Sequence, residues 1–313
     1  MTVTRADVEA AAARIDGLVH RTPVLTSARL NEIAGAELYF KAEHLQKAGA
    51  FKSRGAVNVV SSLDKKHIKQ GFATHSSGNH GAALARAADL RGAPAYIVVP
   101  DNASRVKVDA IRRYGAEVIF CEATLKARES TLESVVERTG AVFVHPYDDD
   151  RIIAGQGTAA LEMIEQARGL DAIITPIGGG GLAAGCALIA ESEGVPLFCA
   201  EPLGADDAFR SLKAGERVIE HAPDTICDGL LTTLGVRNFD IVSRIVSNIL
   251  LADDDQTIEA MALIWTRMKQ VVEPSSAITL AALLQNRERF TGQRVGLVLT
   301  GGNVDLARLP FSS

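Results

Sequence analysis

The sequence predicts an α/β protein with two domains, each built on a mostly parallel, twisted sheet flanked by helices. Short apolar runs alternate with alanine-rich amphipathic segments, which is typical of strands joined by helical crossovers. This alternation occurs in two separate series along the chain. With 313 residues, of which 47% are hydrophobic, the chain is long enough to bury two cores. The sequence therefore favours two α/β cores over one.

The two series supply the strands of the two predicted sheets. In the first series, which starts after Gly71, strands are predicted at residues 72–75, 95–99, 117–121 and 142–144. In the second series, strands are predicted at residues 171–177, 196–200 and 295–300, with helices at 182–192 and 276–289 between them. No low-complexity linker separates the series, so we expect the domains to share an extended interface, where cofactor-sized ligands often bind.

The N-terminal segment has elements of its own that fit either sheet. A helix is predicted at residues 6–15, begun by a Thr4 cap, and a second at residues 28–34, ended by Gly35. A strand is predicted at residues 38–41. The pattern does not indicate which of the two sheets this strand joins.

Composition excludes several classes of partner and site. A net charge of -5 provides no basic surface for a nucleic acid. Nowhere do about 18 apolar residues run together, so we expect neither a signal peptide nor a membrane span and predict a cytoplasmic protein. The cysteines are too far apart for common zinc spacings or a disulfide framework and are interpreted as buried thiols. They are Cys121, Cys186, Cys199 and Cys227.

Lys52 lies between small residues and directly after an aromatic one, Phe51. This setting suits a lysine that forms an imine, because a desolvated amine near a cation has a lowered pKa and is a usable nucleophile toward an aldehyde. Arg54 is predicted to supply that cation. The alternative is an ordinary basic helix start, since one lysine alone does not indicate catalysis.

A run of four glycines follows the predicted strand at residues 171–177 and precedes a helix. Its members are Gly178, Gly179, Gly180 and Gly181. Such a turn lets backbone N–H groups and a helix N-terminus converge on a phosphate. The glycines with Ala183 and the later Glu201 also satisfy a dinucleotide fingerprint, so a nicotinamide-dependent oxidoreductase is an alternative. A tight turn that binds no ligand is a second alternative.

The loop at residues 76–81 (SSGNHG) follows the first strand of the small sheet and opens a helix. Ser76, Ser77 and Asn79 present hydroxyls, an amide and free N–H groups, which suit a substrate carboxylate and a phenolic ring oxygen. A second anion site beside an imine-prone lysine favours a phosphate monoester over a dinucleotide. His80, taken alone, is more typical of a structural histidine.

Together these motifs resemble those of fold-type II pyridoxal-phosphate enzymes with a tryptophan synthase β-like fold, in the serine/threonine dehydratase and serine racemase branch. The resemblance extends from about residue 4 to about residue 308. The matching motifs, in the family's order, are residues 47–56 (KAGAFKSRGA), 76–81 (SSGNHG), 153–158 (IAGQGT), 176–182 (PIGGGGL), 273–275 (EPS) and 300–305 (TGGNVD).

The resemblance implies a role for each motif and an organisation for the chain. Lys52 would hold the cofactor through an imine, with Phe51 beside its ring and Asn79 at the ring hydroxyl. The four glycines would bind the phosphate, and Thr300 would face the pyridine nitrogen, where a neutral hydroxyl favours elimination at the β-carbon. The implied domains are a large one, residues 1–47 and 150–313, and a small one, residues 48–149. A homodimer is also implied.

The resemblance implies a substrate site at Ser76, Ser77 and His80. In racemases of this branch a serine at the position of Ser77 lies across the cofactor from the lysine and exchanges the α-proton, whereas many threonine dehydratases have alanine there. A helix cap or a carboxylate ligand is the alternative role for Ser77. Arg128 lies where some relatives have an arginine that meets a second carboxylate. Its alternative is a solvated helix arginine.

The resemblance also implies a cation loop at residues 201–207 (EPLGADD), with carboxylates from Glu201 and Asp207 and the carbonyl of Ala205. This oxygen set suits Mg²⁺, with Ca²⁺ or Mn²⁺ as alternatives. A helix-capping acidic turn is the other interpretation. Several residues depart from the family pattern, among them Ser276, which stands where glycine is common. The sequence therefore does not predict which substrate side chain the pocket accepts.

The sequence therefore predicts a pyridoxal-phosphate-dependent lyase that dehydrates a hydroxy amino acid such as serine, threonine or 3-hydroxyaspartate to a 2-oxo acid and ammonia. A serine racemase-type activity is the first alternative. A nicotinamide-dependent oxidoreductase and a cofactor-binding scaffold without turnover are more remote ones.

Overall fold

The computed structural model describes residues 3–311, which form ten strands and fourteen α-helices connected by short 3₁₀ turns. The strands are β1 (Val24–Leu25), β2 (Glu37–Lys41), β3 (Phe72–His75), β4 (Ala95–Pro100), β5 (Glu117–Cys121), β6 (Val142–Phe143), β7 (Ala172–Pro176), β8 (Leu197–Pro202), β9 (Asn248–Ala252) and β10 (Arg294–Val298). The helices are α1 (Arg5–Ile15), α2 (Ala28–Ala34), α3 (Lys52–Ser62), α4 (Lys65–Gln70), α5 (Asn79–Asp89), α6 (Arg105–Arg112), α7 (Leu125–Thr139), α8 (Asp150–Gln166), α9 (Gly181–Glu193), α10 (Asp207–Ala214), α11 (Val236–Ile245), α12 (Asp254–Leu263), α13 (Pro274–Gln285) and α14 (Arg287–Phe290).

The strands form two sheets, as predicted. The larger sheet has the order β1-β2-β10-β7-β8-β9, and the smaller has the order β5-β4-β3-β6. Every neighbouring pair is parallel except β1 and β2. Helices flank both sheets, and their apolar sides bury the cores. The predicted α/β fold class is confirmed.

The N-terminal segment joins the larger sheet, which the sequence pattern left open. β2 pairs in parallel with β10, with Leu38 opposite Val295. Thr4 and Asp7 form a capping box at the start of α1, and Gly35 ends α2 in the left-handed conformation with φ 67°. The short strand β1 and the edge strand β9 were not among the predicted strands.

The two sheets are joined by a close crossing of α3 and α8. A Cβ atom on Gly155 would lie 2.6 Å from the Cα of Gly55, so the two helices can touch only because both positions are glycine. The backbone N–H of Gly55 donates to the side chain of Gln156 at 3.1 Å. On its other side α3 contributes Val57 and Val60 to the core of the smaller sheet. α3 is therefore held by both sheets.

Two predictions made from the composition, on membrane spans and on buried cysteines, can be compared with the structure. No helix within residues 3–311 combines the length and the apolar character needed to cross a membrane. Cys186, Cys199 and Cys227 are buried as predicted, whereas Cys121 is half-exposed because it lies on the edge strand β5.

Candidate active site

A cavity of about 560 Å³ lies between the two sheets, beyond the carboxyl ends of β3 and β7. Ligands of open α/β sheets bind at such strand ends. The cavity brings together every residue predicted from the sequence to contact cofactor or substrate. These are Phe51, Lys52, Ser76, Ser77, Asn79, His80, Arg128, Gly178, Gly179, Gly180, Gly181 and Thr300.

Lys52 is the first residue of α3, and its amine lies inside the cavity. Nζ donates to the backbone oxygen of Pro146 at 2.8 Å and lies 5.2 Å from the centre of the Phe51 ring. Burial lowers the pKa of Lys52 to about 8. Because the charged form loses its hydration there, about a tenth of the amine is uncharged at neutral pH, far more than for an exposed lysine, and imine chemistry uses this uncharged form.

Arg54 does not lower the pKa of Lys52, contrary to the sequence-based prediction. Its guanidinium is fully buried and donates to both oxygens of Glu43 at 2.7 Å and to Glu162 at 2.7 and 2.8 Å. These two carboxylates raise the pKa of Arg54 and neutralise its charge. On a helix, residues two apart point in different directions, so Arg54 faces the helix–sheet interface and not the amine.

The glycine run forms a tight loop at the start of α9. Gly180 has φ 88°, a left-handed conformation that disfavours any other residue. A Cβ atom on Gly178 would lie 2.9 Å from the Cα of Leu230, and one on Gly179 would overlap the Tyr147 ring. Nδ2 of Asn238 donates to the Gly179 oxygen at 2.6 Å. The loop therefore leaves a backbone-lined cradle at a helix N-terminus, which fits a phosphate.

The loop after β3 opens a second helix N-terminus toward the cavity. The N-cap residue of α5 is Gly78, and within the described chain no side chain caps this helix, so Ser77 does not serve as its cap. The hydroxyl of Ser76 accepts a weak hydrogen bond from the Gly78 N–H at 3.4 Å. Two helix N-termini, those of α5 and α9, thus face one cavity and provide two separate anion sites.

His80 lines the cavity wall but is only 2% exposed. Its Nε2 lies 3.3 Å from the backbone oxygen of Val144. Burial, with the charge of Lys52 as a second cause, lowers the pKa of His80 to about 3, so the ring is neutral. This geometry favours the structural interpretation of the imidazole over a side-chain contact with substrate.

Thr300 follows β10 and places its hydroxyl in the cavity. Its Oγ1 lies 3.0 Å from Oγ of Ser276, and that hydroxyl also bonds to the backbone oxygen and N–H of Gly301 at 2.7 and 2.6 Å. Ser276, which departs from the family pattern, thus stabilises the turn that contains Thr300. The Phe51 N–H donates to the Thr300 oxygen at 3.0 Å, which ties the lysine segment to this turn.

The side chain of Asn79 is held between two residues of the larger-sheet side. Its Nδ2 donates to Oε1 of Glu273 at 2.8 Å, and its Oδ1 accepts from Nδ2 of Asn303 at 2.8 Å. The Asn303 N–H donates to the other Glu273 oxygen at 3.2 Å. Burial raises the pKa of Glu273 to about 8, with the carboxylate of Asp228 as a further cause. Sequence reasoning quoted the motifs containing Glu273 and Asn303 but assigned them no role.

Arg128, on α7, lines the cavity instead of lying in solvent. Its Nε is buried, and within residues 3–311 it has no hydrogen-bond partner. Nδ1 of His75 is likewise buried and unpaired among the described residues. Burial lowers the pKa of His75, and the nearby charge of Arg128 lowers it further. The buried, unsatisfied N–H of Arg128 fits an anionic group of a ligand and does not support a solvated helix arginine.

Several cavity residues carried no signal in the sequence reasoning. Lys107 of α6 forms an ion pair with Asp228 across the mouth of the cavity. Tyr147 packs on the glycine loop, and His221 lines the opposite wall. They lie in loops or on helices far apart in the chain, outside the short motifs on which the sequence analysis relied.

The three predicted cation ligands lie outside this cavity. Both oxygens of Glu201 accept backbone N–H groups, from Ala208 at 2.8 Å and Phe209 at 2.7 Å. Burial raises the pKa of Glu201 to about 9, and the carboxylate of Asp207 raises it further. Oδ1 of Asp207 is buried without a hydrogen-bond partner in the described chain. Two buried carboxylates, one of them unsatisfied, beside the backbone of Ala205 fit a hard cation.

No group of three or more histidine, cysteine, aspartate or glutamate side chains within residues 3–311 could hold a metal ion. The predicted set has only two carboxylates, so its remaining ligands would be the Ala205 carbonyl and water. Nε2 of His221 lies 3.6 Å from Oδ1 of Asp207, which places the cation loop next to the wall of the cavity.

Comparisons with known proteins agree with this geometry. A family model described as pyridoxal-phosphate dependent enzyme matches residues 15–301. Serine racemase from Dictyostelium discoideum is 49% identical over 315 residues, covering 98% of this chain and 97% of that protein. The crystal structure of serine racemase from that organism matches with a TM-score of 0.94 at 49% identity, covering 98% of this chain and 100% of the other. The beta-hydroxyaspartate dehydratase of Paracoccus denitrificans (strain Pd 1222) is 48% identical over 311 residues, which are 99% of each chain.

The motif-based resemblance is confirmed, and the glycine run is not a dinucleotide fingerprint, because the matched family uses a phosphate monoester. The predicted cofactor is thereby supported by the cradle at Gly178–Gly181, the amine of Lys52 and the family match together. This chain belongs to the family of pyridoxal-phosphate dependent enzymes.

Proposed function

We propose that this enzyme dehydrates a β-hydroxy-α-amino acid to a 2-oxo acid and ammonia. The observation that carries the proposal is the amine of Lys52, with a pKa of about 8, in one cavity with two helix N-termini. Lyase activity is also supported by the similarity to the beta-hydroxyaspartate dehydratase. Its substrates are proposed to be serine, threonine and, above all, 3-hydroxyaspartate.

Different residues of the chain are proposed to bind different parts of the cofactor and of the substrate. When bound, pyridoxal phosphate supplies an aldehyde that condenses with amines and a ring that withdraws electrons from the substrate. The glycine loop with the N-terminus of α9 would hold the phosphate, and Phe51 would lie beside the ring. Asn79 would donate to the ring oxygen, and Thr300 would contact the ring nitrogen. Ser76, with the N-terminus of α5, binds the substrate carboxylate.

Lys52 is proposed to hold the cofactor and to remove the α-proton of the substrate. A base with a pKa of about 8 can accept a proton near neutral pH and return it later. The β-hydroxyl would then leave as water after gaining a proton, which we propose reaches it through the phosphate group held by the glycine loop. The released enamine then reacts with water to give the 2-oxo acid and ammonia. No residue other than Lys52 has to act as base in this direction.

Racemisation is a second candidate activity, and Ser77 is the observation that favours it. The hydroxyl of Ser77 lines the cavity and does not cap α5, so it is free to meet a substrate. A second proton donor is what inversion at the α-carbon requires. The similarity to serine racemase supports the same alternative.

Arg128 is proposed to bind a second carboxylate on the substrate. Its unpaired Nε lies at the cavity wall, where an anion would satisfy it. Lys107 is paired with Asp228 at the mouth, whereas Arg128 has no ion-pair partner within residues 3–311. This arrangement favours a dicarboxylic substrate over serine.

We also propose a structural cation, Mg²⁺ or alternatively Ca²⁺ or Mn²⁺, at Glu201, Asp207 and the Ala205 carbonyl. The unsatisfied Oδ1 of Asp207 and the raised pKa of Glu201 support it, because a cation would stabilise both charges. Removal of the cation would leave two buried carboxylates without that counter-charge.

The proposed domains are residues 1–47 with 150–313 and residues 48–149. Support comes from the sheets, since β3–β6 lie within the second range and all other strands within the first. We also propose a homodimer, supported by the resemblance, and a cytoplasmic location, supported by the composition.

Replacement of the catalytic lysine tests the proposed function. Lys52→Ala is expected to lower the rate of ammonia release by about 10²–10⁴ or more, because it removes the base and the cofactor's covalent anchor. The matched control is Lys47→Ala, a nearby lysine outside the cavity, which should keep the wild-type rate. A Lys52→Ala enzyme with a tenth of the wild-type rate would contradict the assignment. Absence of ammonia from every hydroxy amino acid with the wild type would support a scaffold.

Replacement of Ser77 separates elimination from racemisation. In D₂O the wild type is expected to return some serine with inverted configuration and deuterium at the α-carbon, and Ser77→Ala should abolish this product. Elimination from the L-substrate should survive, since it depends on Lys52. Joint loss of both activities would instead assign Ser77 to binding of the substrate carboxylate.

Replacement of Arg128 tests the second carboxylate. Arg128→Ala should raise KM for 3-hydroxyaspartate roughly tenfold or more, the effect of one charged hydrogen bond, and leave serine unaffected. Arg138→Ala on the exposed side of the same helix is the control. Equal losses on both substrates would argue against a carboxylate-binding role.

Chelation tests the cation site. EDTA is expected to lower the melting temperature of the wild type, and Mg²⁺ should restore it, because the buried carboxylates lose their counter-charge. Glu201→Gln should no longer respond to either addition, whereas Glu216→Ala, in an exposed loop, should respond as the wild type does. A wild-type melting curve that is insensitive to EDTA would rule the site out.

A further inference from the structure

Two residues bind the side-chain amide of Asn79, and their hydrogen bonds connect the two sheets. Asn79 begins α5 on the smaller-sheet side, whereas Glu273 precedes α13 and Asn303 follows β10 on the larger-sheet side. Oε1 of Glu273 accepts from Nδ2 of Asn79, and Nδ2 of Asn303 donates to Oδ1 of Asn79, both at 2.8 Å. We refer to Glu273 and Asn303 as the amide clamp.

The clamp permits only one orientation of the Asn79 amide. In the opposite orientation the Asn79 oxygen would face the Glu273 carboxylate, and its NH₂ group would face the NH₂ group of Asn303. The contact with Asn303 would be repulsive because it would pair two donors, and the Asn303 amide is itself fixed, since its Nδ2 also donates to the oxygen of Ala48 at 2.9 Å. The contact with Glu273 would be repulsive whenever that carboxyl is ionised. In the observed orientation one N–H of Asn79 is used by Glu273, and the second N–H is left for a ligand in the cavity.

Neighbouring residues make room for the clamp. A Cβ atom on Gly301 would lie 2.6 Å from Oε1 of Glu273, and one on Gly49 would overlap the amide of Asn303. Gly49 itself has φ 71°, and Nδ2 of Asn303 also donates to the oxygen of Ala48 at 2.9 Å. The clamp therefore packs against Ala48 and Gly49, which shortly precede the catalytic lysine in the chain.

We propose that Glu273 and Asn303 are positioning residues that direct an N–H of Asn79 at the ring oxygen of the cofactor. The proposal rests on the proposed contact between Asn79 and that ring. An N–H in this position stabilises the deprotonated ring oxygen and disfavours the protonated one. Because the clamp bridges the two sheets, the donor is in place only when the sheets are together, which couples cofactor binding to their arrangement.

The test uses absorbance of the holoenzyme and titration of pyridoxal phosphate into cofactor-stripped protein. Asn303→Asp keeps the size of the side chain but replaces the donor to Asn79 with an acceptor, so the amide is expected to rotate. The long-wavelength band of the bound cofactor should shift, and the dissociation constant should rise roughly tenfold, as expected for loss of a hydrogen bond to a charged group. Glu273→Gln, which keeps only one of the two acceptor oxygens, should move both readouts in the same direction.

Controls separate positioning from support of the fold. Asn286→Asp makes the same chemical change at the end of α13, where the side chain donates to Ala282, and should leave the band and the dissociation constant unchanged. If the clamp acts through Asn79, then Asn303→Asp should add little to the effect of Asn79→Ala in the double variant. Asn303→Ala provides the same comparison without an added charge, should the aspartate variant fail to fold.

Two results would overturn the proposal while leaving the proposed function intact. One is a wild-type band and affinity in both Asn303→Asp and Glu273→Gln, with ammonia release retained. The other is full additivity of the clamp variants with Asn79→Ala. A wild-type protein that binds no pyridoxal phosphate would overturn the proposed function and this inference together.

Discussion

The close packing of α3 against α8 is the constraint on which the rest of the site depends. It combines the glycine contact of Gly55 and Gly155 with the buried guanidinium of Arg54, which is paired with Glu43 and Glu162. Removal of one partner from such a buried pair typically costs about 3–5 kcal/mol, because the remaining charge is left without a counter-charge. Lys52 begins the same helix, so its amine is fixed relative to the glycine loop at the start of α9, which packs against α8.

Burial sets the protonation states around this fixed amine. The pKa of Lys52 is lowered to about 8 and that of His80 to about 3, while that of Glu273 is raised to about 8. All three shifts have burial as their first cause and favour the neutral form. In such a cavity the two helix N-termini and Arg128 are the groups proposed to attract an anionic cofactor and an anionic substrate.

Short motifs allowed the fold class and the cavity-lining residues to be predicted, because a lysine after an aromatic residue or a glycine run after a strand carries its chemistry in adjacent positions. Features made by distant residues could not be predicted in this way. Arg54 pairs with Glu162, which lies on another helix, and the orientation of Asn79 depends on Asn303. The edge strand β9 was missed because a single short apolar run does not distinguish a strand from a buried loop.

The choice between elimination and inversion at the α-carbon depends on how many groups can exchange its proton. In the proposed elimination Lys52 is the only base required, since the β-hydroxyl leaves from the same intermediate once it has gained a proton. Inversion needs a second donor on the other face, and only Ser77 among the predicted catalytic residues offers a hydroxyl that no helix cap consumes. A hydroxyl is a weak acid and base unless its neighbours assist it. The nearby imidazole of His80 is directed at the Val144 backbone, and its lowered pKa makes it a poor proton acceptor near neutral pH. The proposed dehydration therefore depends on one base, whereas racemisation would also depend on the hydroxyl of Ser77.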